Sequence, residues 1–159
     1  MHPGSVKLFS DGSKTSSGVG CAVVHVNNLY VSRLSNNSSI FIAELTALAK
    51  SFEIVSTLQD NNFTIYSDSY SALMAIKQYN PKHPIIQHIQ EWLYRFASKF
   101  KSVHFCLVPV YVGIAGNELA DYEARDVITK EDILFHHIPS TDMKWTIRSY
   151  VKNKWQARW

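Results

Sequence analysis

The hydrophobic and polar positions of this chain fall into two alternating rhythms, one of period two and one of helical period. Val6-Lys7-Leu8-Phe9 alternates and predicts a strand that ends at Ser10-Asp11-Gly12-Ser13, where Asp-Gly is ordinary turn chemistry. After the polar loop Lys14-Thr15-Ser16-Ser17-Gly18, an apolar strand is expected from Val19 to Val26. Asn27-Asn28 gives a hairpin signal, and a further alternating strand runs from Leu29 to Leu34. Ser35 to Ser39 breaks the pattern. From Ile40 to Leu58 the spacing becomes helical, with Phe41, Leu45, Leu48, Phe52 and Val55 on one face and Glu44 in the first turn or two. A short strand, Phe63 to Tyr66, then ends at Ser67-Asp68-Ser69, an acid followed by a small hydroxyl residue.

A short helix is expected over 69–79. Pro81 and Pro84 bracket a loop, and a longer helix runs from Ile85 to Phe100 with Ile86, Ile89, Leu93 and Phe96 as its core stripe. Val103 to Val108 reads as a fifth strand, stopped by Pro109. The loop Val110 to Gly116 carries two glycines, and Asn117 suits an N-cap for a helix bearing Glu118, Asp121, Glu123 and Asp126, with Leu119 and Ala120 as packing candidates. Residues 141–159 form a last helix, with Met143, Ile147, Val151, Trp155 and Trp159 four apart and Lys144, Arg148 and Lys152 on another face. Its stripe is expected to pack on the domain; the alternative is a nucleic-acid or partner face. The order of elements predicts an α/β mixed sheet whose successive strands bring their ends together.

Composition narrows the class. A chain of 159 residues with 46% hydrophobic and 13% aromatic content fits one globular core, and no apolar run is long enough to span a membrane. Cys21 and Cys106 lie far apart in apolar runs, without metal-ligand spacing, which fits a reducing intracellular setting, nucleus or cytoplasm. Residues 1–5 read as a start or tag remnant. The net charge of +3 is concentrated in residues 77–101 and 141–159, whereas Glu118 to Asp132 is acid-rich. Such stretches are commonly solvated helix faces, and they also suit a polyanion handled through bound cations. The pair His136-His137 is too isolated to indicate a metal site.

Four acids change the picture. Asp11 and Asp68 end strands, Glu44 lies near a helix start, and Asp121 lies one turn into a helix entered from a glycine loop. Converging carboxylates repel one another and are tolerable chiefly with divalent cations. Oxygen ligands without Cys or His favour Mg²⁺ or Mn²⁺ over zinc.

The segments Ser10-Asp11-Gly12-Ser13, Ser39 to Leu45, Tyr66-Ser67-Asp68-Ser69 and Val112 to Asp121 together resemble type I ribonuclease H over residues 6–127. They are most similar to the RNase H domains of non-LTR (LINE-type) retrotransposons. The resemblance implies an RNase H-like fold: a five-stranded mixed sheet in order 3-2-1-4-5, its first three strands antiparallel, flanked by helices. Here an extra C-terminal basic amphipathic helix follows within 128–159. It also implies that Asp11, Glu44, Asp68 and Asp121 hold two Mg²⁺ ions, replaceable by Mn²⁺, with Asp11 bridging them, and that the RNA strand of an RNA/DNA hybrid is hydrolysed. Gly12, Ser13, Ser69 and Asn117 become candidate contacts to the hybrid. The implied setting is a monomeric domain of a polyprotein that also carries reverse transcriptase.

The chain departs from the family in the loop before the last acid. A motif that normally reads Trp-x-Pro-(Ser/Gly)-His-x-Gly reads Leu107-Val108-Pro109-Val110-Tyr111-Val112-Gly113, so Tyr111 stands where the family has His. A phenol cannot exchange protons at neutral pH as imidazole does, and a slowed enzyme is expected. The Asn pair that some relatives place before the helix Glu is also missing, with Ile40 and Phe41 there instead. Two rival readings remain open here. One is a catalytically decayed hybrid-binding or structural module; the other, a nuclease of integrase type, is disfavoured by the glycine loop before Asp121.

Overall fold

The computed structural model describes residues 4–26, 28–109, 113–130, 133 and 140–157. Its elements are β1 (Val6–Thr15), β2 (Gly18–His25), β3 (Asn28–Leu34), α1 (Ile40–Thr57), β4 (Asn62–Ser67), α2 (Tyr70–Ile76), α3 (Pro84–Ala97), β5 (Ser102–Leu107), α4 (Ala115–Lys130) and α5 (Ser140–Gln156). The strands form one sheet in the order β3-β2-β1-β4-β5, with β1, β2 and β3 antiparallel and β1, β4 and β5 parallel. This is the expected topology.

α1 forms because Ser39 caps it, accepting a hydrogen bond from the Ile42 N–H at 3.2 Å, and because its inward face is nearly all apolar. Leu45, Leu48, Phe52 and Val55 are fully buried against Leu8, Val23 and Ile65 of the sheet. Phe52 stacks on Phe96 of α3 with ring centres 5.9 Å apart, which ties α3 to the same layer. α4 covers the other face, where Gly20 leaves no room for a side chain beneath Ala124 and Val127.

Three expectations are corrected. β1 does not end at Asp11. It runs on to Thr15, paired with β2 through Asp11↔Ala22, Gly12↔Cys21 and Thr15↔Gly18, while its pairing with β4 stops at Phe9↔Tyr66. Gly12 is therefore a strand residue and serves the approach of a helix: a Cβ there would lie 2.6 Å from the Glu44 backbone nitrogen and 2.8 Å from the Ala43 carbonyl carbon. Gly12→Ala should push α1 off the sheet and cost about 1–3 kcal/mol, a Tm drop on the order of 3–10 °C by calorimetry. An unchanged Tm would contradict the close approach.

Asn117 is not an N-cap either. α4 begins at Ala115, the Asn117 N–H donates to the Ile114 carbonyl at 2.8 Å, and its side chain is buried. The third correction concerns the tail helix. Met143, Ile147, Val151 and Trp155 are 38%, 53%, 56% and 70% exposed, so the stripe does not pack on the domain. Residues four apart drift by about 40° per step around an α-helix, so these four positions spread over about 120° of its exposed surface. Among the described residues no helix is long and apolar enough to cross a membrane. Asn27, Tyr111, the His136-His137 pair and Trp159 lie outside the described residues.

Candidate metal centre

The parallel register of β1 with β4 builds the site. Phe9 pairs with Tyr66, their rings stacked 4.8 Å apart, so two residues further on Asp11 and Asp68 arrive level with each other. Asp11 is 3% exposed in mid-strand, and Asp68 follows the last residue of β4. Glu44 enters from α1, held close by the contact at Gly12, and is 8% exposed. Asp11, Glu44 and Asp68 each offer a carboxylate oxygen within 4.8 Å of the others.

The fourth predicted acid stands at the edge of this cluster. Asp121 accepts a hydrogen bond from Arg125 Nη2 at 2.8 Å, one turn further along α4. Its charge still reaches the cluster, raising the pKa of both Asp11 and Glu44. Arg125 was missed in the sequence, although its spacing of four from Asp121 on a helix was the available clue.

Burial is the chief electrostatic fact. It pushes the Asp11 carboxyl up to about 8, with further elevation from the charges of Asp68 and Asp121 and from the hydrogen bond shared with Asp68; the Gly12 backbone opposes this. Burial likewise pushes Glu44 up to about 9, reinforced by Asp11 and Asp68. Cys21 lies beneath them, and burial followed by the Glu44 charge raises its thiol to about 12, so it remains an inert core residue.

A divalent cation fits this set of donors. Three carboxylates converge; among the described residues none has a compensating base, and Glu44 Oε2 is buried with no hydrogen-bond partner. A buried carboxylate oxygen without a partner is costly, and a cation removes the cost. Hard oxygen donors alone select Mg²⁺ or Mn²⁺ rather than a thiophilic metal.

A sequence model of the RNase H family matches residues 3–129, most of the chain. The chain belongs to the RNase H family. As a ribonuclease H it is an enzyme that acts on RNA paired with DNA, and the acidic cluster fits the divalent metals this family uses. Among curated proteins no relative matches it.

The candidate hybrid contacts of this ribonuclease H are placed less uniformly. Gly12 faces α1, and Ser13 is 7% exposed in β1 opposite Gly20. Ser69 caps α2, accepting from the Ala72 N–H at 3.4 Å, and sits beside Asp68. Asn117 is buried, and its Oδ1 has no hydrogen-bond partner.

The raised pKa values fix how metal-free stability depends on pH. Asp11 and Glu44 keep their protons in the folded chain at pH values where the unfolded chain has released them. Their contribution to stability is therefore complete below about pH 4 and is lost as pH rises through about 8 to 9. In chelator, Tm should fall as pH is raised from 6 to about 9. Added Mg²⁺ or Mn²⁺ binds the ionised form, so the Tm gain from about 10 mM metal should grow over the same range. A metal gain independent of pH, or none, would contradict this assignment; thermal melts at several pH values decide it.

Proposed function

We propose that the chain is the RNase H domain of a non-LTR (LINE-type) retrotransposon polyprotein. In this reading residues 6–127 form a monomeric endonuclease that hydrolyses the RNA strand of hybrids made by an accompanying reverse transcriptase, in nucleus or cytoplasm. Residues 128–159 act as linker and accessory helix. The observation that carries the reading is the convergence of Asp11, Glu44 and Asp68, with Asp121 beside them, in a chain of this family.

In this reading Asp11, Glu44, Asp68 and Asp121 hold two Mg²⁺ ions, which Mn²⁺ can replace. When bound, they supply Lewis-acid activation of a water and neutralise the charge that builds up on the phosphodiester. The rest of the chemistry belongs to the chain. β1, paired with β2 through Asp11↔Ala22 and with β4 up to Phe9↔Tyr66, holds Asp11 in place, as a metal ligand would require. Arg125 holds the Asp121 carboxylate at the rim of the cluster. Loading releases the protons that burial keeps on Asp11 and Glu44. Ser69, next to Asp68, is the partly exposed candidate for a polar contact to the hybrid backbone, with Gly12, Ser13 and Asn117 as the buried candidates behind it. Tyr111 replaces the family histidine and slows proton exchange with the leaving group.

A second reading, a hybrid-binding module whose catalysis has decayed, is favoured by one observation, the residue at 111. The two readings separate on a panel of equal-length RNA/DNA hybrid, double-stranded RNA, double-stranded DNA and single-stranded RNA in Mg²⁺. The enzyme reading expects cleavage of the RNA strand of the hybrid alone, leaving 5′-phosphate ends. Cleavage of duplex DNA, or tight hybrid binding with no cleavage in either metal, would overturn it.

A further inference from the structure

α5 lies beyond the family match and carries four basic side chains, Lys144, Arg148, Lys152 and Lys154, against Asp142 alone. Some basic groups elsewhere are engaged within the fold: Lys101 donates to the carbonyls of Val55 and Leu58, Arg125 binds Asp121, and Lys50 binds Glu53; Lys77, Lys82 and Lys99 are exposed but do not share one regular helix face. Lys144, Arg148 and Lys152 are exposed and make no ion pair among the described residues. They recur every fourth residue, so they rise together along one side of the helix over about 12 Å, the axial rise of roughly three to four nucleotides of one strand. Trp155, 70% exposed, lies within this basic face, three residues beyond Lys152.

We propose that α5 is a second nucleic-acid contact, gripping the phosphate backbone of the RNA/DNA hybrid outside the metal centre, with Trp155 lying against a sugar or base of the same duplex. This deepens the hybrid-directed reading above and rests on it. Charge complementarity selects the occupant: the domain to which α5 is tethered acts on a polyanion, so that polyanion is present at high local concentration whenever the active site is filled. The contact is to phosphates and carries no sequence preference. An exposed aromatic ring among cations suits backbone tracking with stacking.

The test uses the full chain and the variant K144Q/R148Q/K152Q, with folding checked by circular dichroism. In chelator, anisotropy with a labelled hybrid of about 20 base pairs should show the variant binding about 10- to 100-fold more weakly at ~0.1 M salt. Its slope of log affinity against log salt should be shallower by about 3. In Mg²⁺, the variant should raise KM with kcat at saturation held within about twofold. Equal affinities and slopes would overturn the proposal. So would loss of binding to phosphatidylserine vesicles with hybrid affinity intact, which would identify the partner of α5 as a lipid surface. If wild type binds hybrid without cutting it, the nuclease reading fails alone, and the affinity ratio still decides the role of α5.

Discussion

Asp11→Asn is expected to abolish hybrid cleavage, a loss of about 10³-fold or more, and at the same time to raise the melting temperature of the metal-free chain at pH 8. Both effects follow from one cause. Asp11 is buried in mid-strand beside Glu44 and Asp68, where its charge suffers from burial first and from its neighbours second. Asparagine has the same shape without the charge, so the repulsion disappears and the fold gains. Cation binding would lose one of the three converging carboxylates, and a loss of 10³-fold corresponds to about 4 kcal/mol of transition-state stabilisation. Measuring cleavage and thermal melting on the same preparation separates this from mere unfolding. A variant that is inactive and also less stable in chelator would contradict the account.

The second large effect is a gain. Tyr111→His should accelerate cleavage by about 10- to 10⁴-fold, up to the full effect of a positioned general acid or base. The expectation rests on the motif Pro109 to Gly113, because Tyr111 lies outside the described residues. A phenol with a pKa near ~10 holds its proton throughout the neutral range, whereas imidazole, near ~6.5, gives and takes one there. The variant should therefore also gain an inflection near pH 6.5 in kcat that wild type lacks. Equal rates and profiles would show that residue 111 takes no part in proton transfer.

The strand order, and the convergence of Asp11, Glu44 and Asp68, were legible in the sequence because local patterns determine them. Alternation through Val6 and Leu8 and a helical stripe from Phe41 to Val55 name the elements. The run Tyr66-Ser67-Asp68 places the second carboxylate, and the parallel pairing Phe9↔Tyr66 then brings it level with Asp11. What was misread depends on partners that are distant in sequence. Gly12 looked like a turn because Asp-Gly usually is one; only the backbone of Glu44, more than thirty residues on, shows why a side chain is excluded there. Asn117 carries the right chemistry for a cap, yet α4 starts two residues earlier, so the same amide is buried. Pairing of Asp121 with Arg125 needed the helix to be placed before it could be weighed. The tail stripe was legible as a helix but not in its exposure, since spacing alone does not show whether a surface exists to receive it.

The Gly12 contact links fold to chemistry. It sets the distance between α1 and β1, and through it the separation of Glu44 from Asp11. A substitution there acts on stability and on the acidic cluster together, unlike the charge substitutions, which are expected to move stability and cation binding in opposite directions.

The most direct test is cleavage of an end-labelled RNA/DNA hybrid in Mg²⁺ and in Mn²⁺ by wild type, Asp68→Asn and Tyr111→His side by side. The account predicts that wild type cuts the RNA strand slowly, that Asp68→Asn does not cut, and that Tyr111→His cuts faster. If wild type and Tyr111→His are both inert while each binds the hybrid, the acidic cluster is no catalytic metal centre and the account is contradicted.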